Sequence, residues 1–129
     1  MKSPLLPLHD AIYNRVKNNT DWDIYDHVDE RTSCPYISMG PIRGLPWTDK
    51  SQDGQEVYAT LDFWSEHHGR AEAAKMMDDA LQAITASDLT LAGGFLAAFS
   101  DLDTNEIIVD IDGVSRHGIL ILKFLIEET

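Results

Sequence analysis

The sequence predicts an α+β fold: a mainly antiparallel sheet with two helices packed on one face, in a single domain spanning residues 1–129. Three patterns lead to this expectation. Two segments repeat apolar residues at the three-and-four spacing of an amphipathic helix, one segment alternates strictly as a half-buried strand does, and the C-terminal part reads as successive strands. Helices followed and preceded by antiparallel strands form two layers around one core.

Ser3 and Pro4 read as an N-cap and a first helical position, and Leu5, Leu8, Ile12 and Val16 then fall on one face, so the first helix runs over about residues 4–18. Asn18, Asn19 and Thr20 end it. Ile24, Tyr25 and Val28 suggest a short strand and Tyr36 to Met39 another, closed by Gly40 and Pro41. The stretch from Gly40 to Gln55 is rich in turn residues and reads as a loop or a long hairpin tip. From Val57, the residues Val57, Ala59, Leu61 and Phe63 share one face of a strand, while Tyr58, Thr60, Asp62 and Trp64 share the other. A second helix over about residues 69–86 gathers Ala73, Met77, Ala80, Leu81 and Ile84 on one side. Phe95 to Leu102, Glu106 to Ile111 and Val114 to Ile126 read as strands, with Asp112 and Gly113 as a two-residue hairpin turn. The expected core is Leu61, Phe63, Met77, Leu81, Leu122 and Phe124. The last strand is apolar on both faces, since Ile119, Ile121 and Leu125 oppose Leu120, Leu122, Phe124 and Ile126, which points to a second layer or a neighbouring subunit.

Charge narrows the function. Ten Lys plus Arg against 22 Asp plus Glu give a net charge of −12, which argues against binding to a phosphate backbone or an anionic membrane surface. No apolar run reaches the roughly 18 residues of a membrane span, and Pro7 and Asp10 interrupt the opening stretch, unlike a secretory signal. The single cysteine, Cys34, has no internal disulfide partner and suggests a reducing cytoplasm.

Catalytic and metal motifs are weak. Asp101, Asp103, Asn105 and Asp112 match four places of a calcium loop, but Glu106 stands where Gly is required and the flanks read as strands, which favours an exposed acidic hairpin tip. His67 and His68 are adjacent and would diverge, and His9, His27 and His117 lack metal-ligand spacing. Cys34 has no nucleophile signature around it. Gly93 and Gly94 precede a strand, where a phosphate loop needs a helix. No catalytic residue, cofactor or metal is therefore expected. Exposed aromatics are the better clue: Tyr58 and Trp64 lie opposite the core face, buried in a second core or available to a partner, and Trp47 sits in the long loop with Arg43, Asp49, Lys50 and Asp53. With Ile119 and Ile121 these residues form the candidate interface, and the loop from Arg43 to Gly54 is expected to be poorly ordered until it docks, with Trp47 as its anchor.

Several stretches together resemble the tail-completion or tail-terminator family of long-tailed bacteriophages and prophages. They are Ser51 to Gln55 and the strand ending at Phe63, Trp64 and Ser65; Gly69 and Arg70 opening the helix through Met77 and Asp78 to Leu81; the hairpin from Asp112 to Gly118 with the apolar strand ending at Glu127 and Glu128; and the opening Leu6 to Tyr13. The interval Gly40 to Lys50 departs from the family pattern. The resemblance implies a structural virion protein, not an enzyme, forming a hexameric ring that caps the tail tube and meets the head-completion proteins at the head–tail junction. It further implies assembly in the host cytoplasm, with DNA passing through the lumen without specific binding. The other readings are a monomeric cytoplasmic protein-binding module and a small hydrolase or metal enzyme, the last requiring His67, His68, Cys34 or the acidic hairpin to converge.

Overall fold

The computed structural model describes residues 1–47 and 53–129. Two helices, α1 (Leu5–Asn19) and α2 (Ala71–Thr85), accompany six strands: β1 (Ile24–Tyr25), β2 (Tyr36–Pro46), β3 (Gly54–Ser65), β4 (Thr90–Leu91), β5 (Phe95–Val109) and β6 (Arg116–Glu128). The fold is α+β, and the sheet is mixed. Its order is β1-β2-β3-β6-β5-β4, with β1 parallel to β2 and every other neighbouring pair antiparallel.

The core follows from alternation and helical periodicity. Val57, Ala59, Leu61 and Phe63 of β3 and Leu120, Leu122, Phe124 and Ile126 of β6 are buried together with Leu8, Ile12 and Val16 of α1 and Met76, Met77, Ala80 and Ile84 of α2. Leu81, expected in this core, is only partly buried at its edge, while Met76 takes a fully buried place. Gly118 stands opposite Phe63 in β6, and a Cβ there would lie 2.6 Å from Met77 Sδ, so α2 rests closely on β6. Trp22 Nε1 donates to Asp79 Oδ2 at 2.9 Å and ties the segment after α1 to α2.

The end of α2 has no basic residue of its own in the last turn. Arg15 of α1 supplies one: its guanidinium donates to the Ala83 carbonyl at 2.8 Å, an acceptor that a helix C-terminus leaves unpaired, and to the carbonyls of Ser87 at 3.1 Å and Asp88 at 3.2 Å just beyond the helix. At the start of α1, Pro4 is the cap residue, one position later than the expected Ser3, and Ser3 Oγ accepts from Leu5 N–H at 3.4 Å.

Three expectations need correction. The chain does not leave the sheet at Gly40: β2 continues to Pro46 through a bulge between Met39 and Ile42. A Cβ at Gly40 would meet Asp62 Oδ2 at 2.6 Å, and Pro41 lacks an N–H, so these two residues mark an irregular strand rather than its end. Arg43–Pro46, expected in a loop, are therefore paired strand, with Arg43 opposite Tyr58 and Pro46 opposite Gln55. The acidic stretch is likewise not a hairpin tip: Asp101, Asp103 and Asn105 lie inside β5, one long strand where two were expected, with register shifts between Phe99 and Asp101 and between Leu102 and Thr104. Finally, the turn at Asp112 and Gly113 is wider than two residues, because Asp110 N–H donates to Ser115 C=O at 2.8 Å and closes the hairpin there.

Candidate assembly surface

The register aligns a second set of side chains, opposite the core, in rows across β2, β3 and β6. Tyr36, Trp64 and His117 form one row, Ser38, Asp62 and Ile119 the next, and Arg43, Tyr58 and Lys123 another. The first row is stacked. Trp64 lies on the His117 ring with centroids 3.9 Å apart and planes 11° from parallel, and Tyr36 tilts against Trp64 at 6.5 Å. His117 Nε2 donates to Asp62 Oδ1 at 2.7 Å, and Trp64 Nε1 donates to Ser38 Oγ at 3.4 Å. Hydrogen-bonded in this way, the polar tips of Trp64 and His117 are satisfied at a partly buried surface.

Beside this row lies an open groove lined by Pro41, Arg43, Leu45, Tyr58, Thr60, Asp103 and Ile121. Of the residues expected at an interface, the structure thus brings Arg43, Tyr58 and Ile121 into one groove and puts Trp64 and Ile119 on the same face. Trp47 belongs with them. Gly54 shares its face with Tyr58 by alternation, and a Cβ at Gly54 would lie 2.1 Å from the Trp47 ring, so the indole covers this strand end. Trp47 N–H donates to Gly54 C=O at 3.0 Å, which ties Trp47 to the β2–β3 hairpin. Asp53 stands apart: it is exposed, and its carbonyl accepts from Glu128 N–H at 3.0 Å. Asp49 and Lys50 lie outside the described residues.

Among the described residues, no group of three or more His, Cys, Asp or Glu is placed to hold a metal ion. Asp112 spends both carboxylate oxygens on its own turn: Oδ1 accepts from the N–H groups of Val114 and Ser115 at 2.8 Å, and Oδ2 accepts from Ser115 Oγ at 2.7 Å. The Ser115 hydroxyl, with these backbone donors, holds the Asp112 carboxyl below its ordinary range. Burial, reinforced by the neighbouring Glu66, pushes the Cys34 thiol up and away from the reactive thiolate. His9 is engaged elsewhere, with Nδ1 3.0 Å from Asp10 Oδ1 and Nε2 3.0 Å from Asp26 Oδ1. Burial of its ring opposes the charge, but the two carboxylates together outweigh it and raise the imidazole pKa.

Two features gave no sequence signal. The first is Arg15 on the end of α2. The second is the β5–β6 turn, where Ile111 is fully exposed at 101% and Val109 and Val114 are exposed at 45% and 49%. Exposed Ile and Val in the sequence look the same as core Ile and Val until the strand ends are known.

Residues 10–127 match the tail completion protein gp17 family. The chain belongs to that family. The tail completion protein gp17 of Bacillus phage SPP1 is 32% identical over 92 residues, which cover 71% of this chain and 67% of that protein. The solved structure of bacteriophage SPP1 gp17 superposes with a TM-score of 0.64 at 24% identity, covering 92% of this chain and 88% of that one. A chain from the virion of a native gene transfer agent particle shares the fold more fully, with a TM-score of 0.81 at 18% identity, covering 98% of this chain and 99% of that chain. Membership in the tail completion family makes this a structural component of a phage-type virion tail. No helix among the described residues is long and apolar enough to cross a membrane.

Proposed function

We propose that the chain, as one domain with both helices on the core face of its sheet, is the subunit of a closed homo-oligomeric ring, a hexamer, that caps the tail tube. Its other faces would meet the tail tube protein on one side and a head-completion protein on the other, at the head–tail junction, with assembly in the host cytoplasm. The protein has no catalytic task in this reading. The observation that supports it best is the convergence of Arg43, Tyr58 and Ile121 in one groove, with Trp47, Trp64 and Ile119 on the same sheet face. Aromatic, Arg and branched apolar side chains at a half-buried surface are the composition of interface centres. A ring needs two different complementary surfaces on each subunit, repeated around an axis.

The net charge of −12 fits a channel that DNA traverses. Carboxylates along a lumen repel phosphates and let DNA pass, whereas a basic lining would hold it through counterion release. Native mass measurement of the free protein and imaging of assembled tails test the ring. A closed oligomer at the tail end is expected, together with overlong tubes or headless tails when the gene is removed. Single subunits in finished particles, or normal tails without the protein, would overturn the proposal.

A further inference from the structure

The β5–β6 hairpin ends in an apolar knob. Ile111 is fully exposed, flanked by Val109 and Val114, and the stretch from Phe95 to Ser115 contains no Lys or Arg while Asp110 and Asp112 bracket the isoleucine. The knob is preformed. Gly113 adopts φ 72°, its N–H donates to Asp110 C=O at 2.9 Å, and Asp112 accepts three hydrogen bonds from Val114 and Ser115. A turn so closed presents Ile111 without an ordering cost at the moment of contact. A fully exposed isoleucine gains by leaving water, and its gain is available only to a receptor that is apolar.

A surface with that chemistry lies elsewhere on the same molecule. The groove of 410 Å³ has Pro41, Leu45, Tyr58 and Ile121 as its apolar lining, with Arg43 on the β2 wall and Asp103 on the β5 wall. Arg43 forms no ion pair with another described residue, whereas Lys123, in the same row of the sheet, faces Glu56 at 3.8 Å. Resting on the ring reading given above, we propose that Ile111 of one copy inserts into this groove of the next copy, with Asp110 and Asp112 turned toward Arg43 and away from Asp103. Knob and groove are different surfaces of one chain, so a copy whose knob is engaged still offers its groove, and under the ring reading the contact repeats head-to-tail around the axis. The charges fix the orientation and the isoleucine contributes the burial.

The test is a crosslink in assembled tails. The full chain carrying Cys34→Ser, Leu45→Cys and Ile111→Cys is built into particles, oxidised and run without reductant. A covalent ladder extending beyond the dimer to the closed ring is expected, and either cysteine alone should give none. A ring seen by imaging but with no ladder would overturn the knob-and-groove contact while leaving the ring reading intact; single subunits at the tail end would overturn both. A second arm uses charge. Arg43→Glu should lower the yield of capped tails roughly tenfold or more, as loss of an interface anchor does. Adding Asp110→Lys should restore it, and a double variant no better than Arg43→Glu alone would count against the pairing. Ile111→Asp should leave the thermal midpoint unchanged, because the residue touches no core, yet reduce capping by a similar factor; unchanged capping would overturn the proposal.

Discussion

Gly118 is the point at which the helix layer meets the sheet most tightly, and adding a single methyl there has a cost that can be worked from the structure. A Cβ at this position would lie 2.6 Å from Met77 Sδ, 3.3 Å from Met77 Cγ and 3.1 Å from Phe63 Cβ. The Phe63 contact involves an atom next to the backbone of β3 and cannot swing away, whereas Met77 is an unbranched chain that can. Alanine in a strand recovers about 0.5–1 kcal/mol of glycine's conformational entropy. Overpacking costs about 1–3 kcal/mol, which exceeds that return, so Gly118→Ala should lose roughly 1 kcal/mol. Gly118→Val, with two more methyl groups at the same place, should reach the upper end of that cost, about 3 kcal/mol. Urea denaturation followed by fluorescence reads both, as a lower midpoint at unchanged slope. Combining Gly118→Ala with Met77→Ala separates the cause, because the new methyl would then fill part of the vacated space and the double variant should lose less than the sum of the two single losses. A Gly118→Ala protein as stable as the parent, or strictly additive losses, would refute the contact.

Other variants test the remaining layers of the fold. Phe63→Ala removes a ring that is 0% exposed and should cost about 3–5 kcal/mol by urea denaturation; an unchanged midpoint would contradict the register of β3. Arg15→Ala leaves the carbonyls at the end of α2 without their donor and should cost about 1–3 kcal/mol, with Arg15→Lys recovering only part of it, since one ammonium cannot span the same acceptors. The raised pKa of His9 means that its bonds to Asp10 and Asp26 stabilise the fold fully below the unfolded value of about 6.5, and that this contribution is lost as pH rises through the higher folded value. His9→Gln should flatten the stability profile over that window, and a profile that keeps the same slope would show that the slope arises elsewhere.

Periodicity made the long elements legible. The helix starting near Leu5, the alternating strand from Val57 and the apolar strand ending at Ile126 lie where spacing put them, because each has one face that must be buried along its whole length. The errors fall where local and tertiary preferences compete. Gly40 and Pro41 are strong breakers in isolation, yet pairing with Asp62 to Ala59 carries β2 across them, the extra β2 residue being taken up as a bulge. Asp101, Asp103 and Asn105 have turn composition, but β6 offers a partner strand along the whole length, so backbone pairing outweighs side-chain preference. The candidate surface was partly legible. Trp64, Tyr58, Ile119 and Ile121 could be assigned to the non-core face by counting in twos, whereas their convergence with Arg43 depends on β2 continuing to Pro46, which turn chemistry argued against.

A chain with this many exposed apolar groups needs a device against random association. Leu96, Phe99, Leu102, Ile108, Val109 and Ile111 are all exposed on or beyond β5, and β4 pairs with β5 only at Phe95 and Leu96, so most of this strand has an open edge. An open apolar edge is a template for aggregation unless something opposes pairing. Asp101, Asp103, Glu106 and Asp110 are interleaved along it, and the two register shifts break its regularity. Two such edges brought together in register would set carboxylates opposite carboxylates, a penalty that falls on like-with-like pairing and spares contact with a surface carrying a cation. The acidic strand therefore discriminates between partners rather than preventing contact: it disfavours an isologous dimer through β5 and, under the knob-and-groove proposal, favours the approach toward Arg43, in which charge and apolar burial act in the same direction.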